Sequence, residues 1–271
     1  MAQVALISDL HFDVNQVDPA AVLPQQAAYL KAQNVALYLI AGDLTNHFNQ
    51  SLAIVQQLQT LLAPAQVRFI AGNHDMLHDV SYAALEAPLS PLYLHHQFYD
   101  LPGTNWRIIG NNGWYDYQYA DNLPGRNFLA WKRAFWIDST ITQSMSDDER
   151  MDRVLIQIQA QLAQARRANK RVLLMTHFVP RREFIRYTAD DRFWNMANAL
   201  MGSPRLGQLA AAYQVPYVLF GHLHRHFWPQ HLGAVTYLNQ ALGYHNRRLN
   251  EWDSPDFMTE WRHRLKIMTL S

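Results

Sequence analysis

Val67-Arg68-Phe69-Ile70-Ala71-Gly72-Asn73-His74-Asp75 passes directly from a short β-branched and aromatic run into four residues that carry chemistry. A run of this length, closed by Gly and polar residues, is too short for a helix and reads as a buried strand. The pattern recurs. Residues 4–7 lead into Asp9-Leu10-His11, 35–40 into Gly42-Asp43, 172–175 into Thr176-His177, and 217–220 into Gly221-His222-Leu223-His224. Two further runs, 107–109 and 235–238, complete a set of strand candidates. Helical patterns at 19–33, 49–62, 147–169 and 204–213 alternate with them, the third opened by Ser146 as its N-cap. Alternation of strand and helix predicts an α/β fold with largely parallel central strands. In open sheets of that kind ligands bind beyond the carboxyl ends of the strands, so five strand ends can converge on one place.

Composition bounds what that place can be. The 271 residues hold 23 Lys+Arg against 22 Asp+Glu, a formal charge of +1, so no surface for wrapping an extended nucleic acid is expected. A hydrophobic content of 49% excludes a disordered chain. There is no Cys, which removes disulfides, thiolate zinc sites, iron–sulfur clusters and cysteine nucleophiles together. Any metal must then be held by His, carboxylate or amide groups. No apolar run approaches the roughly 18 residues of a membrane span, and the first ten residues lack a basic segment, so the expectation is a cytoplasmic protein without a membrane partner.

The spacings suit ions. Residues i and i+2 of an extended segment point to the same side, about 6.6–6.8 Å apart, so Asp9 with His11, or His222 with His224, can grip a cation. Seven candidate ligands result: Asp9, His11, Asp43, Asn73, His177, His222 and His224. Seven are too many for one tetrahedral ion and leave no open position on one octahedral ion. Two ions resolve the count if Asp43 is shared, the arrangement of two-metal hydrolytic sites with ions about 3.5–4 Å apart.

The order D-x-H, G-D, G-N-H-D, T-H and G-H-x-H across residues 9–224 resembles the calcineurin-like metallophosphoesterase family. A lone D-x-H would arise roughly once per 400 positions, whereas five motifs in the family's order are far more specific. The resemblance implies a four-layer αββα sandwich with two central, mainly parallel or mixed sheets. It assigns one metal to Asp9, His11, Asp43 and His224, and the other to Asp43, Asn73, His177 and His222. It also implies a hydroxide between the metals as nucleophile and His74 as the acid facing the leaving group. One position departs: protein-phosphatase branches carry Asp three residues after the shared Asp to orient that His, and here the residue is Asn46.

The reading that follows is a single domain over 1–271, with aromatic and helical insertions at about 111–145 and 178–203 and a C-terminal extension at about 243–271. The expected activity is hydrolysis of a small phosphate ester or nucleotide with two divalent or mixed-valence ions, Mn, Fe or Zn, which a thiolate-free ligand set does not distinguish. Arg181 and Arg182, close after His177, are candidate phosphate grips because the guanidinium fork suits bidentate phosphate binding. A solvated basic turn is their bland alternative. Tyr115 is a candidate stacking surface for an organic group, against a core role. His226, at i+2 from His224, is a candidate for contact with substrate or with a ligand, and Asp75 is expected to anchor its loop. A nuclease and a catalytically silent binding module are the competing functions.

Overall fold

The computed structural model describes residues 1–271. Its first half runs β1 (Ala2–Ile7), α1 (Pro19–Ala32), β2 (Val35–Ile40), α2 (Phe48–Leu62), β3 (Gln66–Phe69), α3 (Tyr82–Leu85), β4 (Gln97–Asp100), β5 (Trp106–Gly110) and α4 (Phe128–Phe135). The second half runs α5 (Asp147–Arg167), β6 (Arg171–Met175), α6 (Arg192–Ala197), α7 (Pro204–Ala212), β7 (Tyr217–Phe220), β8 (Gln230–Leu232), β9 (Val235–Asn239), α8 (Phe257–Arg264) and β10 (Lys266–Leu270). One sheet has the order β10-β1-β2-β3 and the other β4-β5-β6-β7-β9-β8. β1, β2 and β3 pair in parallel, as do β5, β6, β7 and β9, while β4, β8 and β10 join antiparallel at the edges.

Strand alternation separates the layers. Val4, Leu6, Leu37 and Leu39 of the first sheet pack against Ile108, Leu173, Met175, Leu219 and Leu238 of the second. Their neighbours Ala5, Ile7, Tyr38 and Ile40 belong to another apolar cluster, with Leu23 and Leu30 of α1 and Val55 and Leu58 of α2. The second sheet uses Val172, Leu174, Val218 and Phe220 in the same cluster as Val154, Ile158 and Leu162 of α5 and Leu206 of α7. Four layers result, helix–sheet–sheet–helix, as the resemblance implied. Leu6 is fully buried between the sheets, so Leu6→Ala should remove about 2–5 kcal/mol.

α5 starts where its sequence signals. Ser146 Oγ accepts from Glu149 N at 3.2 Å while the Glu149 carboxylate accepts from Ser146 N at 2.8 Å, satisfying two otherwise orphaned donors. The aromatic segment 111–145 is anchored on this helix. Buried Lys132 of α4 lies 2.8 Å from Asp147, whose carboxylate also accepts from Trp114 Nε1 at 2.8 Å. Residues 243–271 likewise serve the first sheet, adding β10 beside β1 and placing buried Trp261 against Tyr29, with its Nε1 donating to Tyr38 Oη at 3.0 Å. No helix is long and apolar enough to cross a membrane.

Candidate metal centre

The carboxyl ends of the parallel strands in both sheets open on the same side, and each delivers residues of the cluster. Asp9 and His11 follow β1, Asp43 follows β2, Asn73 follows β3, His177 follows β6, and His222 and His224 follow β7. Four of these, Asp9, His11, Asp43 and His222, have positive φ, between 44° and 65°. Left-handed backbone at a non-Gly residue costs about 1–3 kcal/mol and persists only where surrounding bonds hold it. Those bonds are present. Asp9 N donates to Gly42 O at 2.9 Å, His11 N to Asp43 O at 3.0 Å, and His222 N to Asp9 Oδ1 at 3.0 Å. Buried Asp75 accepts from Asp43 N (2.7 Å), Gly72 N (2.9 Å) and Ser51 Oγ (2.6 Å), tying the loop after β3 to the loop after β2.

Two glycines let the loops approach. A Cβ on Gly72 would fall 2.1 Å from Asp43 Oδ1, and one on Gly221 would fall 2.4 Å from Asp9 Oδ2. Any side chain at either position would displace a carboxylate of the cluster.

The candidate ligands form two groups that share one residue. Asp9, His11, Asp43 and His224 bring ligand atoms within 4.8 Å of one another, and so do Asp43, His177 and His222. Asp43 Oδ1 accepts from His74 N at 2.8 Å, and its Oδ2 lies 3.3 Å from His177 Nε2 and 3.7 Å from His11 Nε2. His11 Nε2 and His224 Nε2 face each other at 3.1 Å, and Asn73 Oδ1 lies 3.2 Å from His177 Nε2. The distal nitrogens are fixed: His177 Nδ1 donates to Ala41 O at 2.8 Å, and His224 Nδ1 to Glu251 Oε2 at 2.9 Å. Each bond fixes a proton on Nδ1 and turns Nε2 toward the cluster, where an ion can take the place of the Nε2 proton. His222 Nε2 is buried with no hydrogen-bond partner, which an ion-binding ring accommodates better than a closed network does. The donor set therefore fits two divalent ions that prefer nitrogen and oxygen, sharing Asp43.

Electrostatics agree with that fit. Burial opposes the charge on Asp43, yet His177 and His74 beside it hold its carboxyl well below the usual range. Burial also works against charging His177 and His224, but the first is raised to about 9 by Asp43 and the second to about 10 by Asp9 and Glu251. His222 is pushed down to about 3 by burial and by neighbouring His177. Positive charge is drawn to the carboxylates from both groups.

Three residues that sequence reasoning did not single out complete the surroundings. Tyr244 Oη lies 2.9 Å from His74 Nε2, and its ring packs on His11 and His224 at 4.6 and 4.4 Å. Glu251 holds His224 and accepts from Tyr244 N at 2.7 Å. Buried Asp138 accepts from Asn73 Nδ2 at 2.7 Å, which turns the amide oxygen of Asn73 to its other side, toward His177. Tyr244 follows β9, so the strand-end rule applied to residues 235–238 would have found it. Glu251 and Asp138 carry no comparable signal.

The residues proposed for substrate contact lie elsewhere. Arg181 pairs with Glu183, its stem against Gly207 of α7, and Arg182 pairs with both oxygens of Asp121 at 2.9 and 2.6 Å. Both forks are occupied and neither residue lines the central cavity, so the phosphate-grip expectation is replaced by local ion pairs. Tyr115 is fully buried, stacked on Trp114 and edge-on to Phe178, and serves the core rather than a ligand. His226 Nδ1 lies 3.3 Å from Asp253, outside both ligand groups, and lines a separate cavity. The central cavity, of about 450 Å³, has Asp43, Asn73, His74, His222 and His224 on its surface.

Comparison with known proteins bears on the identity of this arrangement. No curated protein matches the chain. Among solved structures, a dimetal phosphatase from Danio rerio is 13% identical, with a TM-score of 0.49, over 88% of this chain and 86% of that one. GAP50, the anchor in the inner membrane complex of Plasmodium, is 11% identical, with a TM-score of 0.48, over 89% of this chain and 72% of that one. A purple acid phosphatase from yellow lupin (Lupinus luteus) seeds is 12% identical, with a TM-score of 0.44; 82% of this chain aligns but spans only 38% of the lupin chain. The sequence model of the calcineurin-like phosphoesterases matches residues 2–226, from β1 to just beyond the last candidate ligand. The chain belongs to the calcineurin-like phosphoesterase family.

Proposed function

We propose that this protein hydrolyses phosphate esters of small organic molecules with two divalent ions, Mn, Fe or Zn. One ion is held by Asp9, His11, Asp43 and His224, the other by Asp43, Asn73, His177 and His222, and His74 protonates the leaving group. The observation that carries this reading is the position of Asp43 Oδ2, which faces His11 of one group and His177 of the other while His74 N holds Oδ1. Bound there, the ions would supply a nucleophile from water near neutral pH and neutralise charge on the phosphoryl oxygens.

The chain's own residues account for the rest. Glu251, Ala41 and Asp138 fix the orientations of His224, His177 and Asn73. His74, held between Asn46 and Tyr244, stands at the cavity surface beside the ligands. As a water oxygen, having given up a proton to solvent, bonds to phosphorus, the ester P–O bond breaks; the departing oxygen takes its proton from protonated His74 Nε2 and leaves as the alcohol, and solvent reprotonates His74. A formal charge of +1 and a cavity of this size favour a small ester over a nucleic-acid strand.

Hydrolysis of an aryl phosphate and an aryl phosphodiester, side by side and with or without added Mn²⁺, tests the reading. Metal-stimulated turnover of at least one is expected. Asp43→Asn should lower metal content below two ions and abolish that turnover. Inert protein carrying two ions would overturn the proposal, as would full turnover by the variant.

A further inference from the structure

The cavity over the metal centre has a polar floor and an apolar wall. Ile137 and Phe135 come from the end of α4 and the turn after it, Trp194 from α6, Leu223 from between the last two ligand histidines, and Leu249 from the C-terminal segment. Phe135, Ile137 and Leu249 are 62%, 45% and 49% exposed, large apolar side chains left in water at the mouth of the cavity. Contiguous exposed apolar surface beside a functional cleft marks a binding surface. Outward from the mouth it continues through Phe193, whose ring lies 6.3 Å from Phe135 and 5.1 Å from Trp131.

The wall's polar groups are few. Glu251 is committed to His224 and Tyr244 N. Trp136 lines the cavity with its indole N–H buried and without a partner, so it offers no donor there, and Arg225 makes no ion pair. Recognition of a sugar or a nucleobase relies on several placed donors and acceptors, because buried hydroxyl and amide groups left unpaired are heavily penalised. Here the wall offers apolar area instead.

We propose that the organic group of the ester is apolar, an alkyl or aryl group seated against Ile137, Trp194 and Leu249. The inference rests on the phosphoesterase reading for the phosphate end and on the wall alone for the organic end. The two insertions expected from sequence thereby acquire a role, since Phe135, Ile137 and Trp194 of the wall lie within them.

The test uses metal-loaded full-length protein and 4-alkylphenyl phosphates with chains of one to six carbons, whose leaving groups differ little in acidity. Because burial of a methylene is worth roughly a fourfold change, kcat/KM should rise about three- to fourfold per carbon until the chain outgrows the wall. Hydroxyl-tipped chains of equal length should lose that gain. The matching non-hydrolysable phosphonates should show the same gradient in Kd by calorimetry. The double variant Ile137→Asn with Leu249→Asn, at exposed positions that a fold tolerates, should flatten both gradients with metal content unchanged. A flat wild-type gradient, or a preference for the hydroxylated chains, would overturn the inference while leaving phosphoester hydrolysis standing. A Kd gradient without hydrolysis of any member would support the apolar wall and overturn the phosphoesterase reading instead.

Discussion

His74 Nδ1 donates to Asn46 Oδ1 over 2.6 Å. The amide occupies the place where, on the family resemblance, protein-phosphatase branches hold a carboxylate, and it reproduces the orientation without the charge. On the far side of the ring Tyr244 Oη lies 2.9 Å from Nε2, the nitrogen from which the proposed acid would deliver its proton. Ring orientation is therefore set from two sides, whereas the protonated form gains no anionic partner from Asn46.

Asn46→Asp supplies that partner. An adjacent carboxylate favours the protonated imidazole by one to three pH units in comparable pairs, and an acid works only while protonated. The basic limb of the kcat/KM profile should therefore move to higher pH by about one unit or more, with both metals retained. A profile superimposable on that of the wild type would show that proton delivery by His74 does not limit the rate.

Glu251→Gln tests the support behind one metal. The carboxylate accepts from His224 Nδ1 and from Tyr244 N, so it both raises the basicity of His224 and fixes Tyr244 beside His74. Removing such a partner lowers metal affinity about 10–100-fold. Because Glu251 has no bond to the Asp43–His177–His222 group, one ion should be lost to chelator well before the other. Two ions leaving together at wild-type chelator concentration would contradict this.

Much of that geometry was legible in advance because the seven candidate ligands lie within a few residues of strand ends, where an apolar run stops and a polar motif starts. The central strands and the four long helices fall where the patterns put them, since buried strands and amphipathic helices are written locally. The edge strands β4, β8 and β10 were not read: β10 is defined by pairing with β1 at the opposite end of the chain, a contact no local pattern carries. The ion pairs of Arg181 and Arg182 were hidden for a related reason. Nearness in sequence to His177 says nothing of Asp121, which lies 61 residues before Arg182 and takes its guanidinium. Glu251 and Asp138 are likewise ordinary carboxylates until the fold brings them to His224 and Asn73.

Metal uptake should release protons. Against burial, Asp43 raises His177 to about 9 and Asp9 with Glu251 raises His224 to about 10, above the ordinary value of 6.5 for His, while burial pushes His222 down to about 3. Groups raised on folding stabilise the metal-free fold fully below pH 6.5, and that contribution fades as pH rises through 9 and 10. Ions compete for the same nitrogens, so at pH 7.5 loading should expel at least two protons, one from each raised histidine and a further one where bound water ionises, and affinity should climb steeply with pH. Calorimetry in two buffers of different ionisation enthalpy counts the protons. Uptake without release would mean that the carboxylates do not hold protons on these histidines.

The acid role of His74 has its own signature. A general acid matters in proportion to how badly the leaving group needs a proton, and its contribution is typically 10²–10⁴-fold. His74→Asn should keep both ions, because the His74 side chain belongs to neither ligand group. On a nitrophenyl ester, whose leaving group departs readily as an anion, the variant should retain much of its activity. On an alkyl ester, whose alkoxide is strongly basic, it should lose a factor within that range. The ratio of variant to wild-type rate across a series of leaving groups measures this directly, with single-turnover kinetics separating chemistry from product release. A ratio that stays constant along the series would remove His74 from the acid role. If metal content fell as well, the fault would lie in the backbone bond from His74 N to Asp43 Oδ1, which orients the shared carboxylate, and Tyr244 Oη would be the next group to test as proton source.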